Sequence, residues 1–194
     1  MSSVSLPGVA ALRALAHPSR LDLLDLLRVH ERLTAAECAR LLGTSTKSCS
    51  YHLGILAGQG MVVRVAEPRA DGRERPWRRA ADEFDTPLGS GTRADQQART
   101  AAMQVTARRD LELFTAFLQR EPDQPAGWRQ AVIVHTRTAV MSAGQLREWG
   151  LAVEAVTREH VQRARQELPA DAGPVRLTIR GFPQEFPARA PGDG

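Results

Sequence analysis

Between Thr34 and Met61 the chain reads as two short helices with almost nothing between them. "TAAECARLLG" opens on a hydroxyl residue able to cap a helix, carries Glu37 three residues later and stops at Gly43. That is a capping-box start and a glycine stop. Ser45 can then accept from the first-turn N–H groups of a second helix through "TKSCSYHLGILAG", closed by Gly58 and Gly60. Two helices joined by so tight a turn form a helix-turn-helix pair. Cys49, Leu53 and Leu56 recur at spacings of four and three and should face the core. Lys47, Ser50, Tyr51 and Gly54 share the opposite face.

That opposite face is unusual in its chemistry. It carries short hydroxyl side chains, one tyrosine and one lysine. A solvated helix face is the plain alternative, yet such a face favours Glu, Lys and Gln over Ser and Thr, which are mediocre helix formers. Short donors and acceptors suit a groove of DNA: hydroxyls bond to several bases, Lys47 reaches guanine or phosphate, and Tyr51 offers a ring and an OH. Gly54 costs about 1 kcal/mol against alanine in a helix interior. It lets the backbone approach DNA closely, or it confines base contact to the first two turns.

The flanks complete the pattern. Residues 6–16 read as a short amphipathic helix. "HPSRLDLLDLLRVH" reads as another, with Pro18 in its first turn and an apolar face of Leu21, Leu24 and Leu27, with Leu23 and Val29 beside them. After the pair, "MVVRVAEPRADGRERPWRRA" is a β-hairpin: a β-branched strand from Met61, a turn at Asp71-Gly72, and a return from Trp77. It holds six arginines between positions 64 and 79 against Glu67, Asp71 and Glu74. Guanidinium groups suit phosphates and narrow minor grooves; a charged surface loop is the bland alternative. Helix-turn-helix plus basic hairpin describes a winged helix.

Charge follows the same division. Residues 1–80 hold twelve Lys and Arg against seven Asp and Glu, a surplus of +5, and residues 81–194 hold fourteen against fifteen, giving the chain its net +4. A basic first half fits an anionic partner bound at one end. With 42% hydrophobic residues, 194 residues suit one or two globular domains. No run approaches the ~20 apolar residues of a membrane span, and the start lacks a secretory pattern, so the expected location is the cytoplasm.

"ADEFDTPLGSGT", residues 81–92, reads as a linker. A long helix over 93–120 should follow, with Met103, Ala107, Leu111, Phe114 and Leu118 on one side. "WRQAVIVHTRTAV" reads as a strand. Ser142 with Gln145 is a capping box for a helix over 143–167, whose buried stripe should be Leu146, Trp149, Val153 and Val156. "GPVRLTIRGF" alternates Val175, Leu177 and Ile179 inward and reads as a second strand. Residues after Phe186 are rich in Pro and Gly and should fray.

Taken as an ordered set, "LRALAHPSRLDLLDLL", "LTAAECARLLGTSTKSCSYHLGILAGQGMV" and the hairpin around "ADGRERPWRR" resemble the ArsR/SmtB-type winged helix-turn-helix regulators over residues 6–80. The strongest points are Ala-His-Pro-x-Arg at 16–20 and Ser-Tyr-His-Leu-x-x-Leu at 50–56. The resemblance implies a homodimeric transcriptional repressor that binds double-stranded DNA. It assigns Ser45, Thr46, Lys47, Ser50, Tyr51 and His52 to the recognition helix, and Arg69, Arg73 and Arg75 to the wing. It places the dimer interface on the first helix and the long helix. The family's metal-sensing motifs do not carry over: the third helix, "AECARLL", holds a single thiol where metal sensors usually have Cys-x-Cys, and residues 93–120 contain no histidine. No metal or cofactor is expected.

The expected fold is therefore mainly α with a small β component. A winged helix-turn-helix domain (1–82) precedes a linker and long dimerisation helix (83–124), then a small α+β strand-helix-strand module (125–194), a further dimerisation or effector domain. Cys38 and Cys49 should pack between the two helices, as a thiol switch or simply as small buried hydrophobes. His135, His160, Trp128, Trp149 and Phe182 either line an effector pocket or belong to a core. No G-x-S-x-G, P-loop, H-E-x-x-H or G-x-G-x-x-G occurs, so an enzyme is not expected. The competing readings are a winged-helix protein-interaction module and an effector-responsive regulator whose C-terminal half binds a small molecule.

Overall fold

Capping decides where most of the helices begin. In the computed structural model, which describes residues 3–5, 8–65, 75–81, 83–85 and 91–185, Thr34 Oγ1 accepts from the Glu37 N–H at 3.2 Å and the Thr34 N–H donates to Glu37 Oε2 at 2.8 Å. These bonds open α3, Ala35–Leu42. Gly43 adopts the left-handed region at φ 64°, and its N–H and that of Thr44 both reach the Ala39 carbonyl. Ser45 then caps α4, Thr46–Gly58, by accepting from the Ser48 N–H at 3.1 Å. The earlier helices are α1, Val9–Leu15, and α2, Pro18–Val29, with Pro18 at the start of α2.

The chain divides into two compact units, Met1–Pro125 and Ala126–Gly194. The core of the first lies where α2, α3 and α4 meet: Leu23, Leu27, Cys38, Cys49, Leu53 and Leu56 are essentially inaccessible. Leu23 takes the central place on α2, whereas Val29, expected beside that face, is 51% exposed. At about 25 cal/mol per Å² of apolar surface, each such leucine contributes roughly 1.5–3 kcal/mol.

The hairpin follows as β2, Val62–Arg64, and β3, Trp77–Arg79, antiparallel with Val62 opposite Arg79 and Arg64 opposite Trp77. It is tied down at two further points. Leu33 and Trp77 exchange backbone hydrogen bonds of 3.0 and 2.7 Å. Arg79 Nη1 donates to the Leu24 carbonyl of α2 at 3.2 Å. One of the six hairpin arginines thus holds the hairpin to its own domain. The turn expected at Asp71-Gly72 lies outside the described residues.

Where a linker was expected, Glu83–Asp85 forms a short strand, β4, parallel to β1, Ser3–Ser5, with Val4 opposite Phe84. Three-residue strands are too short for alternation to show. Thr92 and Asp95 then form a capping box for α5, Arg93–Arg120. Helix α5 lies along α1. It is locked to α2 by Arg109, whose Nη2 meets Asp22 Oδ1 at 2.6 Å and whose Nη1 meets Asp25 Oδ2 at 2.7 Å. The face of α5 buried in this unit is Ala98, Arg99 and Ala102. Met103, Ala107, Leu111, Phe114 and Leu118, which share the apolar spacing, are not buried here.

In the second unit, α6 spans Ala126–Ala131 and α7 spans Ala143–Gln166, the latter opened by the Ser142–Gln145 capping box. The strands expected at 128–140 and 173–182 do not form. Residues 128–131 end α6, and residues 132–141 and 174–185 enter no ladder. Alternation records which side chains a strand could bury, but a ladder also needs a partner strand, and neither stretch is paired among the described residues. The stripe of α7 is likewise not buried: Leu146 and Val153 are half-covered, while Trp149 and Val156 are exposed. His160, expected to extend that stripe, is exposed, with Nδ1 2.9 Å from the Val156 carbonyl of its own helix. No helix of the described residues is long and apolar enough to cross a membrane.

Candidate nucleic-acid interface

Helix α4 separates its two faces cleanly. Cys49, Leu53 and Leu56 are buried, while Ser45, Thr46, Lys47, Ser50, Tyr51 and Gly54 are exposed. Tyr51 is 65% exposed, a large aromatic ring held out from the domain. The Ser45 hydroxyl oxygen already accepts one bond for the helix cap, which leaves its O–H and one lone pair for an outside partner. A Cβ placed on Gly54 would meet nothing within 4 Å. The protein's own packing therefore gives no reason for glycine there.

His52, assigned with this segment, is placed differently. Its ring packs on His17, centroid to centroid 4.5 Å, and Tyr51 meets it edge-on at 5.2 Å. His17 is the residue before α2. The Nδ1 atoms of both imidazoles are buried and have no hydrogen-bond partner among the described residues. Arg20, one turn into α2, donates to the Ala14 carbonyl and, at 3.0 Å, to the Arg13 carbonyl, gripping the end of α1. The Ala-His-Pro-x-Arg stretch thus touches α4 through a tilted ring contact and ties α1 to α2. No sequence periodicity marks that role, because it depends on two residues 35 positions apart in the chain.

Burial pushes the His17 imidazole below its ordinary range, and Arg20 adds to this while Asp22 opposes it. Burial likewise pushes His52 down, helped by His17 and then Arg20. A base with a lowered folded-state pKa binds fewer protons folded than unfolded, so stability rises with pH across that window. The α2–α4 contact is accordingly fully stabilising above about pH 6.5 and weakens as pH falls through the lowered values. Thermal melts from pH 7.5 to 5 should show a falling midpoint, and His52→Gln should flatten the slope. A wild-type midpoint independent of pH over this range would contradict the sign.

On the hairpin, Arg75 and Arg78 are exposed, while Arg69 and Arg73 lie outside the described residues. The Arg64 guanidinium sits 4.2 Å above the Trp77 ring and donates to the Arg75 carbonyl at 3.0 Å. That stack holds the two arms together at the point where they leave the sheet. Cys38 and Cys49 are buried free thiols, and burial pushes the Cys49 thiol up, away from the thiolate form that reacts. Among the described residues no group of three or more metal-ligating side chains converges.

Residues 15–65 match the family model of a helix-turn-helix domain. The first unit contains a helix-turn-helix domain. Domains of this kind characteristically bind DNA, and α3 and α4 are the two helices of the pair. Comparison with curated proteins gives no match.

Proposed function

We propose that the chain is a homodimeric transcriptional regulator, a repressor of the ArsR/SmtB type, that binds a near-palindromic operator in double-stranded DNA. The observation carrying this reading is the polar face of α4: Thr46, Lys47, Ser50 and Tyr51 project from a helix whose other side is wholly buried. Thr46, Lys47, Ser50 and Tyr51 reach base edges and phosphates, Ser45 donates from the helix start, and His52 positions the helix from behind. Arg75, with Arg69 and Arg73 in the wing, meets the phosphate backbone. The dimer reading is supported by α5, where Leu111 is 64% exposed and Leu118 52%, an apolar stripe that a helix–helix seam would cover.

Selection of bound fragments from random duplex DNA, followed by footprinting, tests this reading. It should yield two half-sites about one helical turn apart. Recovery of no DNA, alongside stable capture of a protein partner, would favour an interaction module instead. Gly54 supplies a finer contrast. With open space at its Cβ, Gly54→Ala should stabilise the fold by about 0.5–1 kcal/mol. If the backbone approaches DNA there, the same change should weaken operator binding. A variant that is more stable and binds equally well would confine base contact to the first two turns of α4.

A further inference from the structure

The second unit cannot close a core by itself. Among residues 126–185 not one is buried. A segment of about 60 residues is marginal even when well packed, and this one has no buried residue to hold it. Its two β-branched stretches, 132–141 and 174–182, form neither helix nor strand and enter no ladder. Ile133 is 78% exposed, and Phe182 71%.

The segment 173–181 meets the helices of its own unit at both ends. A Cβ at Gly181 would lie 2.9 Å from the Trp149 ring and 3.0 Å from Leu146 of α7, and one at Gly173 would lie 3.6 Å from the Trp128 ring. Val175, Leu177 and Ile179 alternate in sequence between these two glycines, the spacing by which a strand would set all five positions on one face. Tryptophans stand at both ends of the segment, yet Val175 remains 60% exposed, Leu177 59% and Ile179 52%. Its middle is open. The apolar side chains of the two stretches together offer on the order of 1,000 Å² per copy, enough for a standard interface of about 800 Å² per partner.

We propose that the second unit folds against a second copy of itself, the β-branched stretches of the two copies forming one intermolecular sheet covered by the two α7 helices. A second copy is the fitting occupant because it brings what each unit lacks. Two more strands complete four, and a second α7 completes a helix layer over a sheet, the smallest two-layer core. A twofold arrangement makes the contact self-complementary and leaves no foreign partner to specify. Dimerisation through α5, proposed above, would hold two second units at high effective concentration, and the inference rests on that reading only for its strength.

Nuclear magnetic resonance on the full-length chain tests it. A one-to-one mixture of isotope-labelled and unlabelled chains should give intermolecular contacts between the Ile, Leu and Val methyl groups of residues 132–141 and 174–182. Leu177→Glu should abolish those contacts and raise the dimer dissociation constant about tenfold or more, while the methyl signals of Leu53 and Leu56 stay in place. Contacts confined to one copy, or none in a dimeric sample, would overturn the proposal. Operator binding is measured separately: a chain that binds no DNA but shows these intermolecular contacts keeps this inference and loses the functional reading.

Discussion

Leu53→Ala should cost the first unit about 2–5 kcal/mol and lower its melting temperature by roughly 10–20 °C. Leu53 is completely inaccessible and packs in the cluster that also holds Leu23, Leu27, Cys49 and Leu56. Three helices converge there, so the cavity left by truncation has rigid walls on several sides and little freedom to collapse. The loss should also appear in function, because Leu53 lies on the buried side of α4 that seats the helix in the core. Chemical denaturation followed by the methyl resonances of the buried leucines of this cluster checks it. An unfolding free energy within about 0.5 kcal/mol of wild type would mean that the α2–α3–α4 junction is not the core.

Tyr51→Ala and Lys47→Ala should do the reverse. Both side chains are exposed and neither supports the core, so stability should stay within about 0.5 kcal/mol. Specific operator affinity should fall by about 1–3 kcal/mol for each, or roughly 5- to 150-fold. Lys47→Ala should in addition reduce the salt dependence, since a cation that releases a counterion is lost. Titration calorimetry or mobility shifts at fixed salt reads the affinity, and a melt on the same samples reads the stability. Normal binding by both variants would remove α4 from the interface.

Much of the first unit was legible because local chemistry announces it. Thr34 with Glu37, the glycine at 43 and Ser45 each act within a few residues, and the structure uses all three as the spacing indicates. The buried trio of Cys49, Leu53 and Leu56 follows from period alone. What could not be read depends on distant partners. Arg79 looks like one more basic residue of the hairpin, yet it is bonded to Leu24 across 55 positions. Arg109 looks like a surface arginine on a long helix, yet it bridges Asp22 and Asp25. The pairing of Ser3–Ser5 with Glu83–Asp85 joins segments that carry no alternation to find.

The second unit shows the converse. Val175, Leu177 and Ile179 have the alternation of a buried strand, and the structure leaves them half-exposed and outside any ladder. Period specifies which face a strand would bury and is silent on which chain covers it. His52 illustrates the same limit at the interface, where position on α4 grouped it with Tyr51 and packing set it against His17.

Binding of the full-length chain to its selected operator, measured as a function of salt and set beside a scrambled duplex, tests the central claim most directly. The account predicts a steep linear fall of log K with log[salt] for both duplexes, since wing and helix both meet phosphates. It also predicts an operator preference of about a thousandfold or more at physiological salt. A flat salt plot, or equal affinity for both duplexes, would contradict it.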